Sequence, residues 1–500
     1  MEKQQAQPKK KTRIVWKGFF IRLALLAMIA IFTYGGFFVF KFQQLQNKIV
    51  VMAPIEDDEQ AKESGIKSIL GAAKNFIGDR PDLKGQQDQR INILLLGMGG
   101  EGHKGEYLTD TIMIVSIDPV TYKSAMLSIP RDLYTEIGDS NIYTKINAVY
   151  AYGKKNKEMS ESEALSDLKK TIKNIIGQEI HYYVALDFEG FKNIIDEIGR
   201  VDIEVKDDIY DPSYPGPNYS YETFEISKGF HHLDAETALK YSRVRHIKGG
   251  DFGRAARQQQ VIAAAKRKAF SIGTIANPIK ISSIMTTLGD HLKTDIQLSE
   301  IPSFIHLVNN INIHETSTKV LDAWSADSLL GSTHVNLGGV PAYVLIPRAK
   351  NYSQVHELAE NILDLGKIEK KKEAIENEDA EIAVIPQKKH SSYRVRDIMK
   401  KMGYSVKIES ARTFNYCETG NKLLNFSDQQ KLFTLDDLAD KLDSSVFYIK
   451  DPNVKYDIIV CLSDETVEYF EKQNEKEEDE KKEAKQQSIV DEVGNVLTNK

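Results

Sequence analysis

Four arginines fall within fifteen residues of this chain, between Arg243 and Arg257. Arg243 and Arg245 stand two apart in the run Tyr241-Ser242-Arg243-Val244-Arg245-His246, and in an extended segment both point to one face. The run Asp251-Phe252-Gly253-Arg254 follows. If Asp251 caps a helix there, Arg254, Arg257 and Gln258 share a face at i, i+3 and i+4. Guanidinium groups so close repel one another unless an anion sits between them. Arginine forks match phosphate oxygens two at a time, and a helix N-terminus adds its dipole. The competing reading of the set is a solvated basic face.

A second pair of charges, Arg131 and Asp132, ends the apolar run Ser128-Ile129-Pro130. Alone it reads as a surface ion pair; beside the arginine group it becomes a candidate for the same site. Gly97-Met98-Gly99-Gly100-Glu101-Gly102 follows an apolar run and matches the spacing of a dinucleotide loop. Such a loop requires a helix next. Here Tyr107-Leu108-Thr109-Asp110 leads into a β-branched strand, Thr111 to Val115, so the dinucleotide reading fails. The glycines either let a ligand approach the backbone closely or form a flexible turn. His103, His181, His231 and His232 lack metal-ligand spacing and read as structural, His103 being the least bland because it adjoins the glycine loop. Cys417 and Cys461 are the only cysteines. They could form one disulfide outside the cell or remain two buried thiols, since sequence does not show their Cα separation.

These residues need a scaffold. Alternating and apolar runs predict strands over 91–96, 111–117, 124–129, 181–186 and 201–205. Helical spacing predicts helices over 165–176, 188–198 (closed by Gly199) and 254–270. A second set of elements lies at 382–385, 395–402, 405–408 and 457–462. The fold class expected is α/β: a layered α-β-α sandwich with a central mixed sheet, plus a smaller C-terminal α/β domain and an N-terminal transmembrane helix. Phe19 to Phe40 is apolar apart from Arg22, about the ~20 residues that cross a bilayer, and it ends in Phe37-Phe38-Val39-Phe40 rather than a small-residue cleavage site. Six basic residues from Lys3 to Lys17 precede the span and four acids, Glu56 to Glu59, follow it, which puts the N-terminus in the cytoplasm. The expected division is a cytoplasmic N-terminus (1–17), a transmembrane helix (18–40), an extracytoplasmic stalk (41–89), a catalytic domain (90–365), a charged linker (366–380), a C-terminal domain (381–464) and a charged tail (465–500). A net charge of −6 gives no general case for nucleic-acid binding, and the expected extracytoplasmic placement disfavours it further.

Taken together, six strings resemble the LytR-CpsA-Psr family of cell-envelope proteins: NILLLG (92–97) with LTDTIMIVSIDP (108–119), SIPRDLY (128–134), KINAVYAYG (145–153), YYVALDFEGFKNIIDEIG (182–199), GFHHLDAETALKYSRVRH (229–246) and GDFGRAARQQQVI (250–262). Residues 381–464 resemble the LytR C-terminal domain. The resemblance implies a phosphotransferase that moves a glycopolymer from a polyprenyl-pyrophosphate carrier onto peptidoglycan at the membrane, with Mg2+, or alternatively Mn2+, at the pyrophosphate. It implies that Arg131, Asp132, Arg243 and Arg245 are catalytic, that Asp251, Arg254, Arg257 and Gln258 bind substrate, and that Asp110 holds the metal. Two positions depart from the pattern. Gly99 stands where the family has an aspartate, and Leu108 where it has an arginine. Glu101 is the acid available to replace the missing ligand, with His103 as a competitor that would suit manganese or zinc better. The competing reading of the two departures is altered metal use or lost activity, which leaves a non-catalytic binder of lipid-linked envelope polymer. A transcriptional regulator is disfavoured by the expected topology.

Overall fold

The computed structural model describes residues 80–471 except 104, 157–158, 217–219, 245–249, 270–288, 290, 298–299, 312–315, 324, 326–327, 388–391, 411–416, 418–419, 428–429 and 470. The expected cytoplasmic segment, transmembrane helix and most of the stalk and tail lie outside the described residues, as does Arg245. Among the described residues no helix is long and apolar enough to cross a membrane.

A six-stranded mixed sheet forms the larger unit. Its strands are β1 (Ile91–Met98), β2 (Thr109–Ile117), β3 (Ser124–Ser128), β4 (Tyr182–Asp187), β5 (Leu292–Thr294) and β6 (Ser317–Val320), in the order β5-β4-β1-β2-β3-β6. β1 runs antiparallel to β2 and parallel to β4, while β6 pairs parallel with β3. Alternation along β1 divides it between two cores. Leu94 and Leu96 join a cluster with Leu168, Ile172 and Val355; Ile91 and Ile93 join another with Phe304 and Leu307. Helices therefore cover both faces, as a sheet apolar on both sides demands.

The helices that frame the site are α1 (Val149–Lys155), α2 (Glu161–Ile176), α3 (Phe188–Ile198), α4 (Ala235–Arg243) and α5 (Gly250–Ala269). Local signals account for their ends. Ser160 and Glu163 make a reciprocal capping box at the start of α2, and left-handed Gly177 ends it. Asp187 accepts from Gly190 N at 2.7 Å to cap α3, which Gly199 closes at φ 78°. The stripe Leu165, Leu168, Ile172 and Ile175 turns α2 onto the sheet, each buried side chain contributing roughly 1.5–3 kcal/mol.

Several boundaries differ from expectation. Residues 80–89 are no free stalk: Leu83 is 5% exposed, Lys84 N donates to Tyr182 Oη at 2.8 Å, and Ser303 Oγ donates to Pro81 O at 2.6 Å. A second, five-stranded sheet contains Ile382–Pro386 and Ile458–Leu462, and its core reaches Val467, beyond residue 464. The charged run between the two sheets is a helix, Gly366–Glu378, with no buried residue. It is tethered nonetheless. Lys371 Nζ lies 3.0 Å from Glu357, and Glu378 accepts from Phe433 N and Thr434 N to cap the helix Leu432–Leu442. Cys417 and Cys461 form a disulfide, with Cα atoms 5.3 Å apart.

Candidate functional site

The end of β1 shapes one edge of the sheet. Met98 faces Thr109 of β2 on one side and Asp187 of β4 on the other. The following glycines form a turn, with Gly100 N bonded to Glu106 O at 3.1 Å. Gly100 has φ +84°, and a Cβ there would stand 2.7 Å from the Asp187 Cβ, so only glycine fits. The chain then enters a strand rather than a helix, which excludes dinucleotide chemistry here.

Asp110, second residue of β2, is the centre of the site. Its Oδ1 accepts from Arg131 Nη1 at 3.1 Å and from Asn147 Nδ2 at 3.2 Å, and its backbone carbonyl accepts from Arg254 Nη2 at 3.3 Å. Arg131 arrives here because β3 ends at Ser128, and Ile129 N still bonds to Ile112 O. On α5, Gln258 Nε2 donates to Thr111 Oγ1 at 2.9 Å, one turn beyond Arg254. Asp110, Thr111, Arg131, Arg254 and Gln258 thereby line one cleft. Asp132 faces inward as well: its Oδ1 lies 2.6 Å from Lys145 Nζ and its Oδ2 3.5 Å from Arg131 Nε.

Three readings of the arginine group change. Arg243 is not in an extended segment but ends α4, its guanidinium 4.2 Å above the Phe188 ring and 5.7 Å from that of Tyr214. Asp251 lies inside the first turn of α5, which begins at Gly250, instead of capping it. Arg257 is 8% exposed and turns away from the cleft, donating from Nε to Tyr241 O at 3.0 Å and from Nη2 to Val244 O. Burial lowers its guanidinium to about 10. It ties α5 to the end of α4 and so positions Arg243.

Glu101 is exposed in the turn, and no contact recorded among the described residues brings it to Asp110. His103 packs edge-on against Phe188 at 5.4 Å. Among the described residues no three His, Cys, Asp or Glu side chains gather as a metal centre. His181 Nδ1 accepts from Asn92 N, and His231 and His232 bond to Ser227 O and Asp202, all structural roles. Neither Lys145 nor Asn147 stands out by residue type; both lie in the string 145–153, two apart, and that spacing is the signal the sequence offers.

The mixed α/β unit thus gathers the guanidinium groups of Arg131 and Arg254 round one carboxylate at the start of β2. Its relatives are specific. The LytR_cpsA_psr family model matches residues 42–336, more than half of the chain, and the chain belongs to that family. It is similar to the polyisoprenyl-teichoic acid–peptidoglycan teichoic acid transferase TagV of Bacillus subtilis (strain 168), 28% identical over 346 residues, covering 68% of this chain and 78% of the relative. The corresponding TagU of Bacillus anthracis (strain A0248) is 31% identical over 215 residues, 43% of this chain and 63% of the relative. The crystal structure of B. subtilis TagV overlaps 55% of this chain and 98% of its own, at 29% identity and a TM-score of 0.42.

Proposed function

We propose that the chain is a membrane-anchored phosphotransferase of cell-wall assembly, moving a glycopolymer from a polyprenyl-pyrophosphate carrier onto peptidoglycan. The names of the related transferases supply the substrate class. The observation that carries the reading is the cleft where Arg131 and Arg254 converge on Asp110 and Gln258 reaches the adjoining Thr111. An acceptor hydroxyl attacks the phosphorus nearer the glycan, forming an O–P bond. The bond from that phosphorus to the bridging oxygen breaks, the hydroxyl proton passes to solvent, and polyprenyl phosphate leaves with the electron pair. Arg131 and Arg254 neutralise charge growing on the phosphate oxygens, and Arg243, beyond Phe188, and Arg245 are assigned to the same anion. Asp132 holds Arg131 and Lys145 in register, and Asp251 belongs with the substrate-binding turn of α5.

The donor set suits a magnesium ion in part. Both donors to the Asp110 carboxylate reach Oδ1, which leaves Oδ2 without a hydrogen bond among the described residues, and oxygen ligands with phosphates as partners are what Mg2+ prefers. Asp110 would hold it together with the substrate's own phosphate oxygens, and Glu101, which no contact among the described residues joins to Asp110, is proposed as the second acid; when bound, the ion would supply positive charge to the leaving phosphate. The two sheets correspond in this reading to a catalytic unit and an accessory C-terminal unit, both outside the cytoplasm, and residues 18–40 to the anchor.

A second reading, a non-catalytic binder of the same lipid-linked polymer, is favoured by Gly99 at the family's aspartate position. Incubation of the full chain in detergent with a synthetic polyprenyl-pyrophosphate glycan and peptidoglycan separates the two. Release of polyprenyl phosphate, abolished in Arg243→Ala, is expected. Donor binding without release establishes the binder.

A further inference from the structure

We propose that the outer face of the hairpin following Arg131 is a sugar-binding subsite for the acceptor glycan strand. This rests on the transferase reading and adds the acceptor's position to it. The hairpin pairs Tyr134–Glu136 with Tyr143–Lys145 antiparallel, Tyr134 opposite Lys145 and Glu136 opposite Tyr143. Directly opposed residues share a face, so these four side chains stand together, while Thr135 between them is buried on the other side. The tyrosine rings lie 5.6 Å apart at 36°, and Tyr143 is 51% exposed.

The face is held in place from several directions. Glu136 accepts from Asn141 N at 2.6 Å and from Tyr143 Oη at 3.4 Å, and Tyr352 Oη donates to Tyr134 O at 3.3 Å. Its composition selects the occupant. Two flat rings bordered by a carboxylate and an ammonium offer what a pyranose needs: a π-surface for its C–H face and charged partners for its hydroxyls. Continuity selects it further. Lys145 Nζ lies 2.6 Å from Asp132 Oδ1, Asp132 Oδ2 lies 3.5 Å from Arg131 Nε, and Arg131 Nη1 lies 3.1 Å from Asp110 Oδ1. The face thus runs without interruption into the anion cleft, where an acceptor hydroxyl has to meet the phosphorus.

The test uses the full chain in detergent with the synthetic donor and purified uncrosslinked glycan strands. Tyr143→Ala should raise the KM for the glycan strand about tenfold, the loss of one well-placed aromatic contact. The donor KM and the rate at saturating acceptor should not change, and Tyr143→Phe should behave as wild type. An unchanged acceptor KM in Tyr143→Ala, or a rise confined to the donor KM, overturns the subsite while leaving the transferase reading intact. If wild type shows no turnover, that reading fails separately, and titration calorimetry with the glycan strands decides the subsite. Binding weakened in Tyr143→Ala supports it; equal binding, or none to wild type, overturns it.

Discussion

Arg131 and Asn147 both donate to the same oxygen of Asp110, at 3.1 and 3.2 Å. Two donors on one oxygen orient the carboxylate and leave its other oxygen outside these hydrogen bonds. A partly exposed ion pair of this kind contributes about 0–1 kcal/mol to folding. The arrangement is better explained by the cleft than by stability.

Asp110→Ala should therefore melt within a few degrees of wild type while losing donor turnover by about 100-fold or more. Magnesium titrations of turnover check the metal reading. Full activity of Asp110→Ala in chelator would remove the metal from the mechanism. Glu101→Ala should raise the magnesium concentration required, and an unchanged demand would eliminate Glu101 as a ligand.

Arg257 should behave in the opposite way. Arg257→Ala strips the donors from Tyr241 O and Val244 O at the end of α4, at a cost of roughly 2–4 kcal/mol. Thermal melting should show a clear drop. An unchanged melting temperature together with weakened donor binding would make Arg257 a ligand contact after all.

The bond between Cys417 and Cys461 spans 44 residues. Closing a loop of that size in the unfolded chain is worth roughly 4 kcal/mol in the chain-entropy account. Denaturant unfolding of the C-terminal unit, followed by proteolysis, should shift to lower denaturant with reductant. Coincident curves with and without reductant would show that the crosslink adds nothing.

His181 supplies a pH dependence. Burial lowers its imidazole below the ordinary value, against the opposing pull of Asp88 and Glu179 and with the help of Lys169 and Lys84. Its Nδ1 accepts from Asn92 N at 3.0 Å, a bond that the protonated ring cannot accept. With the folded value depressed, the unfolded chain binds more protons below about pH 6.5. The contribution is thus complete above that pH and is lost as pH falls through the folded value. Wild type should lose more melting temperature between pH 7.5 and 5.5 than His181→Gln does. Equal losses would assign the acid sensitivity to other groups.

Local elements were legible because their causes are local. Phe188–Ile198 with Gly199, and Val201–Val205, fall at the residues that a capping aspartate, a left-handed glycine and strict alternation specify. The mixed α/β class follows from the order of such elements. Arg131, Arg254 and Gln258 could be picked out because each type suits an anion and because they end an apolar run or share one helical face, whereas Asp110 stood out only through the resemblance to a metal-binding aspartate of the family. Periodicity along α5 could group Arg254, Arg257 and Gln258 on one side, but a helical face has no address until its neighbours are known. Packing against the end of α4 buried Arg257 and left its neighbours to the cleft. Lys145 and Asn147 reached Asp132 and Asp110 only because β2, β3 and the hairpin after Arg131 converge. What the sequence decided was periodicity, capping and residue chemistry, all set within a few residues. The tertiary structure alone decided which charges face one another, because that depends on contacts between segments far apart in the chain.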